Sequence, residues 1–351
     1  MGTHIPTAEK IDLESFDFSQ PELFESDRWR PFFERLRRED PVHFTPSSPF
    51  GPYWSITRFA DIVDIDTNHH DFSSEGNILI GDLGDDLPGE SFIQMDPPKH
   101  DVQRKAVQPV VAPKNLQELE PIIRHRVKEI LDNLPVNEPF DWVENVSINL
   151  TTQMLATLLG FPAEDRGKLT YWSDLVAGTP ELAGGDADPA ERLEGLLDCL
   201  KRFTEIWHAK RSENKPGFDL ISLLQHGQGT HDMVDRPMEF LGTLALLIVG
   251  GNDTTRNSIS GSVLALNQHP AELDKLRASP ELIQSFVPEV IRWQTPLMHM
   301  RRTASRDVEF RGKHIKKGDK VVMWYISGNR DNEVIPDADR FIIDRMNPRH
   351  H

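Results

Sequence analysis

A single cysteine, Cys199, stands in a chain of 351 residues, so neither a disulfide framework nor a cysteine-rich zinc site can be built within it. Positive charge is also scarce. Lys and Arg total 39 against 56 Asp and Glu, a formal net charge of −17. Binding to nucleic acid needs a basic footprint for the phosphates, and an anionic membrane surface repels an acidic chain. Long apolar runs are missing: Leu244 to Val249 with its flanks falls well short of the roughly 20 residues of a membrane span. No early stretch joins a basic start, an apolar run and a small-residue cleavage site, which points to a cytoplasmic protein with no membrane span. Several catalytic signatures are absent as well. There is no His-Glu-x-x-His of a zinc hydrolase, no Gly-x-Ser-x-Gly of a serine hydrolase and no Gly-x-Gly-x-x-Gly of a fused reductase. A metal-dependent prenyl-diphosphate enzyme would need Asp-Asp-x-x-Asp, and a Ser or Thr where Arg256 follows Asn252.

What is present suits a globular protein with a substantial core: 38% hydrophobic and 27% charged residues. Apolar residues recur at three- and four-residue spacing over Pro21–Glu39, Lys99–Val111, Gln117–Leu134, Val143–Leu159, Ala190–Arg211, Met238–Asn267 and Pro280–Thr295, which predicts helices. Strand signals are few. Val42–Phe44 and Tyr53–Thr57 flank a turn rich in Pro, Ser and Gly, and Arg301–Thr303, Val308–Phe310, Lys313–Ile315 and Lys320–Met323 follow late. The expectation is a mainly α protein with a small β-sheet built from both ends of the chain, and so one interlocked domain over residues 1–351. Ser73–Glu90 reads as a long loop holding Ile78, Leu79 and Ile80, and Gly178–Pro189 as a break between helices.

The segment Phe240–Asn257 breaks local rules. It is apolar on nearly all sides at first, as a central core helix would be. Then follow Gly250, Gly251, Asn252, Asp253, Thr254 and Thr255, although an interior glycine costs a helix about 1 kcal/mol relative to alanine. One reading is a helix end at the glycines with a polar cap after them. The other is continuous helix, because apolar spacing resumes at Ile259, Val263, Leu264 and Leu266. In that case the glycines let something flat and bulky approach the backbone beside a carboxylate and a hydroxyl, the kind of violation expected at a functional site.

Gly250-Gly-Asn-Asp-Thr-Thr255, then Glu289-x-x-Arg292, then Asp339-Arg340-Phe341, preceded by Gln94-Met-Asp-Pro-Pro-Lys-His100-Asp-Val-Gln-Arg104, together resemble the cytochrome P-450 family of haem-thiolate monooxygenases. The resemblance runs through essentially the whole chain and implies that fold, with haem b as cofactor packed on Gly250 and Gly251. By the same resemblance His100 and Arg104 hold one haem propionate, and Arg302 the other, with Arg301 as competing candidate. Glu289, Arg292 and Arg340 correspond to a buried structural ion triad. Thr254 corresponds to the hydroxyl that delivers protons during dioxygen activation, and Asp253 to the carboxylate that feeds it. Ile78, Leu79, Ile80, Leu246, Val249, Leu297 and Met298 correspond to substrate-lining positions, and their aliphatic character suits an alkyl substrate.

The axial ligand of the family is a cysteine thiolate in a Phe-Gly-x-Gly-x-His-x-Cys loop, about ten residues beyond a position like His351. The chain ends at Asn347-Pro-Arg-His-His351, and Cys199 lies in an unrelated helical stretch. The expectation is that the loop and the last helix belong to a longer working protein, and that residues 1–351 alone do not activate oxygen. Ile93–His100 and Leu297-Met-His-Met-Arg-Arg-Thr-Ala304 resemble the bacterial class that hydroxylates medium-chain alkanes and fatty acids at the terminal carbon. That resemblance implies dioxygen, a small apolar substrate, and electrons from a ferredoxin and its reductase. Lys99, Arg104, Lys105 and Lys114 form a local basic cluster suited to an acidic ferredoxin. The competing reading is a truncated or haem-free relative that only binds an apolar ligand.

Overall fold

The computed structural model describes residues 6–81, 91–177, 189–213, 217, 219–347 and 349–351. Residues 82–90 of the expected Ser73–Glu90 loop and 178–188 of the expected Gly178–Pro189 break lie outside them. The fold is mainly helical. In chain order the helices are α1 (Pro21–Glu25), α2 (Trp29–Glu39), α3 (Phe59–Asp66), α4 (Lys99–Val107), α5 (Pro113–Asp132), α6 (Asn149–Leu159) and α7 (Gly167–Ala177), then α8 (Pro189–Glu213), α9 (Leu220–His226), α10 (Pro237–Gln268), α11 (Pro270–Ala278), α12 (Ile283–Gln294) and α13 (Tyr325–Gly328). The strands are β1 (Val42–Thr45), β2 (Tyr53–Ile56), β3 (Phe72–Ser73), β4 (Met300–Ala304), β5 (Val308–Phe310), β6 (Lys313–Ile315) and β7 (Lys320–Met323). Among the described residues no helix is long and apolar enough to cross a membrane. Packing divides the chain into two compact units, residues 1–83 with 261–351, and residues 84–260.

In the first unit five strands form one sheet in the order β1-β2-β7-β4-β3. The early hairpin pairs Val42 with Ile56, and β2 runs parallel to β7 through Trp54–Val321 and Ile56–Met323. Both ends of the chain thus supply the sheet, as the sequence pattern predicts. Its edge strand β3 went unanticipated, and β5 with β6 forms a separate hairpin. The central strands are buried throughout β2 and from Val321 in β7. One polar atom among them, Ser55 Oγ, accepts from Trp324 Nε1 at 3.0 Å, as burial of a hydroxyl requires.

The single helix expected over Pro21–Glu39 is two. Asp27 breaks it with φ 52, a left-handed conformation that Asp tolerates better than most residues. Its carboxylate accepts from Trp29 Nε1 at 3.1 Å and Arg30 Nη1 at 2.7 Å. From there Trp29, Phe32, Phe33 and Leu36 bury one face of α2.

A fully buried carboxylate, Glu289 on α12, organises the rest of this unit. Arg292 donates to both its oxygens at 2.7 Å, Arg345 Nε to one at 3.0 Å, and the Ile342 amide to the other at 2.8 Å. The third member of this cluster is therefore Arg345, not Arg340. The side chain of Arg340 is 71% exposed and lies 3.9 Å from Asp337, whereas that of Arg345 is 9% exposed. Arg340 contributes its backbone: its carbonyl accepts from Arg292 and Arg345, each at 2.9 Å. Arg292 also donates to the carbonyls of Asn329 and Ala338 at 2.8 and 2.7 Å. The Asn329 side chain in turn donates to Thr295 Oγ1 at 3.0 Å and accepts from the His351 amide at 2.9 Å.

The second unit is built around a core of Leu155, Leu159, Phe161, Trp172, Phe203, Trp207, Phe240, Leu244 and Ile248, with Cys199 among them. Helix α6 follows a π-helical turn, Val143–Ile148, and ends at Gly160 with φ 69. An added Cβ there would collide with the Asp219 carboxylate, which caps α9 through the Ser222 amide at 3.1 Å. Burial pushes the Cys199 thiol up out of reach of ordinary ionisation.

Two outcomes follow. Arg345→Ala should lower the thermal midpoint by the equivalent of about 1–3 kcal/mol, because Glu289 loses a partner it cannot replace with water. Arg340→Ala should stay within about 0.5 kcal/mol of wild type; equal losses would restore Arg340 to the cluster. Cys199 should resist an aromatic disulfide reagent in the native protein and react at once in denaturant, since the thiolate is the reactive form.

Candidate active site

In the second unit α10 runs unbroken through Gly250–Thr255, so the helix-end reading of the sequence does not hold. Its early turns are buried at Phe240, Leu241, Leu244 and Ile248, while Leu246 and Val249 are half-buried and both glycines exposed. A Cβ built on Gly250 meets nothing within 4 Å; one on Gly251 would touch Leu155 Cδ1 at 3.0 Å. The helix therefore presents an open backbone face at Gly250. Thr254 lies one turn on and donates its hydroxyl back to the Gly250 carbonyl at 2.8 Å. This satisfies the hydroxyl locally and leaves its lone pairs available.

Asp253 is half-buried and accepts from Arg256 Nη2 at 2.5 Å. Burial pushes its carboxyl above the ordinary carboxylate range; Arg256 pulls it back and Asp174 adds a further upward push. Asn252 is buried, and its side-chain oxygen accepts from Thr151 Oγ1 at 2.9 Å. Ser147 and Ser260 hydroxyls meet at 2.9 Å. These two polar braces fasten α6 and the π-helical turn to α10, both on the C-terminal side of the glycines. π-Helical turns of this kind are frequent near functional sites.

On α4 of the same unit, His100 and Arg104 stand one turn apart. His100 Nδ1 lies 2.8 Å from Asp101 Oδ1. Arg104 is exposed and has no hydrogen-bond or ion-pair partner among the described residues. Lys99, Lys105 and Lys114 are exposed around it.

The first unit carries the remaining candidates. Ile78 and Ile80 are buried and Leu79 half-buried, in a turn held by Asn77 to the Leu79 amide (3.0 Å) and by the Arg301 amide to the Ile78 carbonyl (2.8 Å). Leu297 and Met298 are 39% and 37% exposed, and the Met298 carbonyl accepts from the Ile326 amide at 3.0 Å. Arg301 and Arg302 are neighbours on β4 and so point to opposite faces. Arg301 is buried; Arg302 is held by Asp66 at 2.5 Å and by the Arg301 carbonyl at 3.0 Å.

The haem implied by the sequence resemblance fits part of this arrangement directly. The backbone at Gly250 is open to approach, and Arg104 is an available cation for a carboxylate, strengthened by charge-assisted hydrogen bonding. Arg302 would have to share itself with Asp66. Among the described residues no group of His, Cys, Asp and Glu is placed to hold a metal ion, and Cys199 is sealed in the core. Sequence reading assigned no site role to Arg256, Asn252 or Arg345. The spacing of Asp253 and Arg256, three apart on one helix, was a usable signal; Arg345 reaches Glu289 only through the tertiary fold.

Comparison with known proteins bears on the family. A family model described as Cytochrome P450 matches residues 190–351. The chain is 35% identical to a linalool 8-monooxygenase of Pseudomonas putida, over 96% of this chain and 85% of that protein. It is 32% identical to a steroid C26-monooxygenase of Mycobacterium bovis, over 96% and 79% of the two chains. Its structure is similar to that of cytochrome P450-153 from Novosphingobium aromaticivorans, with TM-score 0.87 and 40% identity over 94% of this chain and 83% of that one. Relatives matched along nearly the whole chain place it among the oxidoreductases, as a monooxygenase belonging to the cytochrome P450 family.

Proposed function

We propose that this monooxygenase hydroxylates the terminal carbon of medium-chain alkanes or fatty acids. The overall change is R–CH3 plus dioxygen, two electrons and two protons giving R–CH2OH plus water. Residues 1–351 are read as part of one P450 domain that takes electrons from a ferredoxin and its reductase, with Lys99, Arg104, Lys105 and Lys114 as the docking cluster. The observation that carries the reading is the unbroken α10, with its open Gly250 face and a carboxyl and hydroxyl in successive positions beside it.

Haem b, when bound through a cysteine thiolate, supplies the iron chemistry that splits dioxygen. The residues of this chain do the rest. Gly250 and Gly251 would leave room for the group beside the helix, and His100, Arg104 and Arg302 are the residues that would hold its propionates. Asp253 takes up a proton from the solvent side, favoured by the burial that raises its carboxyl. Thr254, whose hydroxyl donates to the Gly250 carbonyl, would pass that proton on. Ile78, Leu79, Ile80, Leu246, Val249, Leu297 and Met298 offer only aliphatic and thioether surface. Side chains of that kind suit an unbranched chain and exclude water.

Three measurements test this. Reduced, haem-loaded protein exposed to carbon monoxide should show the red-shifted Soret band of thiolate ligation; its absence would favour the relative that only binds an apolar ligand. In turnover, octane or dodecanoic acid should give the terminal alcohol faster than linalool or a steroid does, and the reverse preference would sink the substrate reading. Thr254→Ala should lower product formed per electron pair, with turnover to alcohol falling about 10²-fold. Unchanged coupling would remove Thr254 from proton delivery.

A further inference from the structure

Arg256 does not serve Asp253 alone. Its Nη2 lies 2.5 Å from Asp253, and its Nη1 lies 3.7 Å from the Asp174 carboxylate on α7. The three side chains grade outward: Asp253 is 17% exposed, Arg256 19% and Asp174 60%. One guanidinium between two carboxylates leaves a net charge of −1. The surplus is relieved most easily by a proton on the inner, less hydrated acid. Asp174 and Arg256 are also the two charged groups that act on Asp253, one from the facing helix and one from its own.

We propose that Asp174 and Arg256 are positioning residues that set how readily Asp253 exchanges its proton, with Asp174 drawing on the guanidinium so that it does not lock the inner carboxylate. The inference rests on the proton-delivery role assigned to Asp253. With Asp174 gone, Arg256 and Asp253 close into a one-to-one pair and the carboxylate stays ionised. With Arg256 gone, the desolvated carboxyl keeps its proton. Both extremes slow a relay, which works best when donor and acceptor forms are both populated.

The test is the titration of Asp253 itself, followed as its protonated C=O stretch in infrared difference spectra and identified by its loss in Asp253→Asn. Asp174→Asn should move the titration to lower pH and Arg256→Gln to higher pH, with Arg256→Lys lying nearer wild type. The pH at which product formed per electron pair declines in the haem-loaded protein should move in the same order. Asp198→Asn, an exposed acid on α8 paired with Lys168, should move neither. Asp174→Asn and Arg256→Gln shifting together, or not at all, would overturn the proposal. If Asp253→Asn leaves coupling intact, the relay reading fails on its own, while the order of the titrations still decides whether the pair tunes Asp253.

Discussion

A carboxylate with no access to water must be matched by charge and hydrogen bonds, and Glu289 meets that demand by tying its own helix to a distant stretch of chain. Arg292 answers it from the same helix, and Arg345 with the Ile342 amide from a segment that has no regular structure of its own. The two arginines then spend their remaining donors on the carbonyls of Asn329, Pro336, Asp337, Ala338 and Arg340. An irregular segment, which lacks a ladder of its own to satisfy its backbone, is thereby held as firmly as a strand. Removing one member of such a group leaves an uncompensated buried charge, so the cluster stands or falls together.

The chemistry proposed for this chain is placed on the opposite kind of element. Helix α10 is regular where its sequence is least suited to regularity, and it stays helical because its apolar turns are anchored in the core and polar braces grip it from α6 and the π-helical turn. Local weakness is tolerated where neighbours over-determine the backbone. What the glycines remove in propensity they return as free space beside a carboxyl and a hydroxyl.

Much of this was legible in the sequence. The boundaries of β5, β6 and β7 match those expected from composition alone, and the resumption of apolar spacing at Ile259 foretold the continuity of α10. Where reading failed, the deciding contact was distant in sequence or very short. β3 has two residues, too few for alternation to register. Asp27 splits a convincing helical pattern by adopting a backbone angle that no periodicity reveals. Arg340 looked like the ion-cluster arginine because Asp339-Arg340-Phe341 resembles the family's motif. The turn of the chain instead spends its carbonyl on the cluster and sends Arg345, 56 positions from Glu289, to the carboxylate. Arg256 was readable by spacing, but its second partner on α7 was not.

The parallel pairing of β2 with β7 has a consequence for how the chain is made. Trp54 must wait for Val321 and for Asp319, 265 positions on, before its strand and its indole N–H find their partners. Residues 84–260 form their unit from one unbroken stretch, and can organise while the ribosome is still working. The early hairpin emerges first and is completed last. Throughout synthesis its β2 edge is an open template for wrong pairing, and a cell making this protein quickly depends on keeping that edge covered until the last strands arrive.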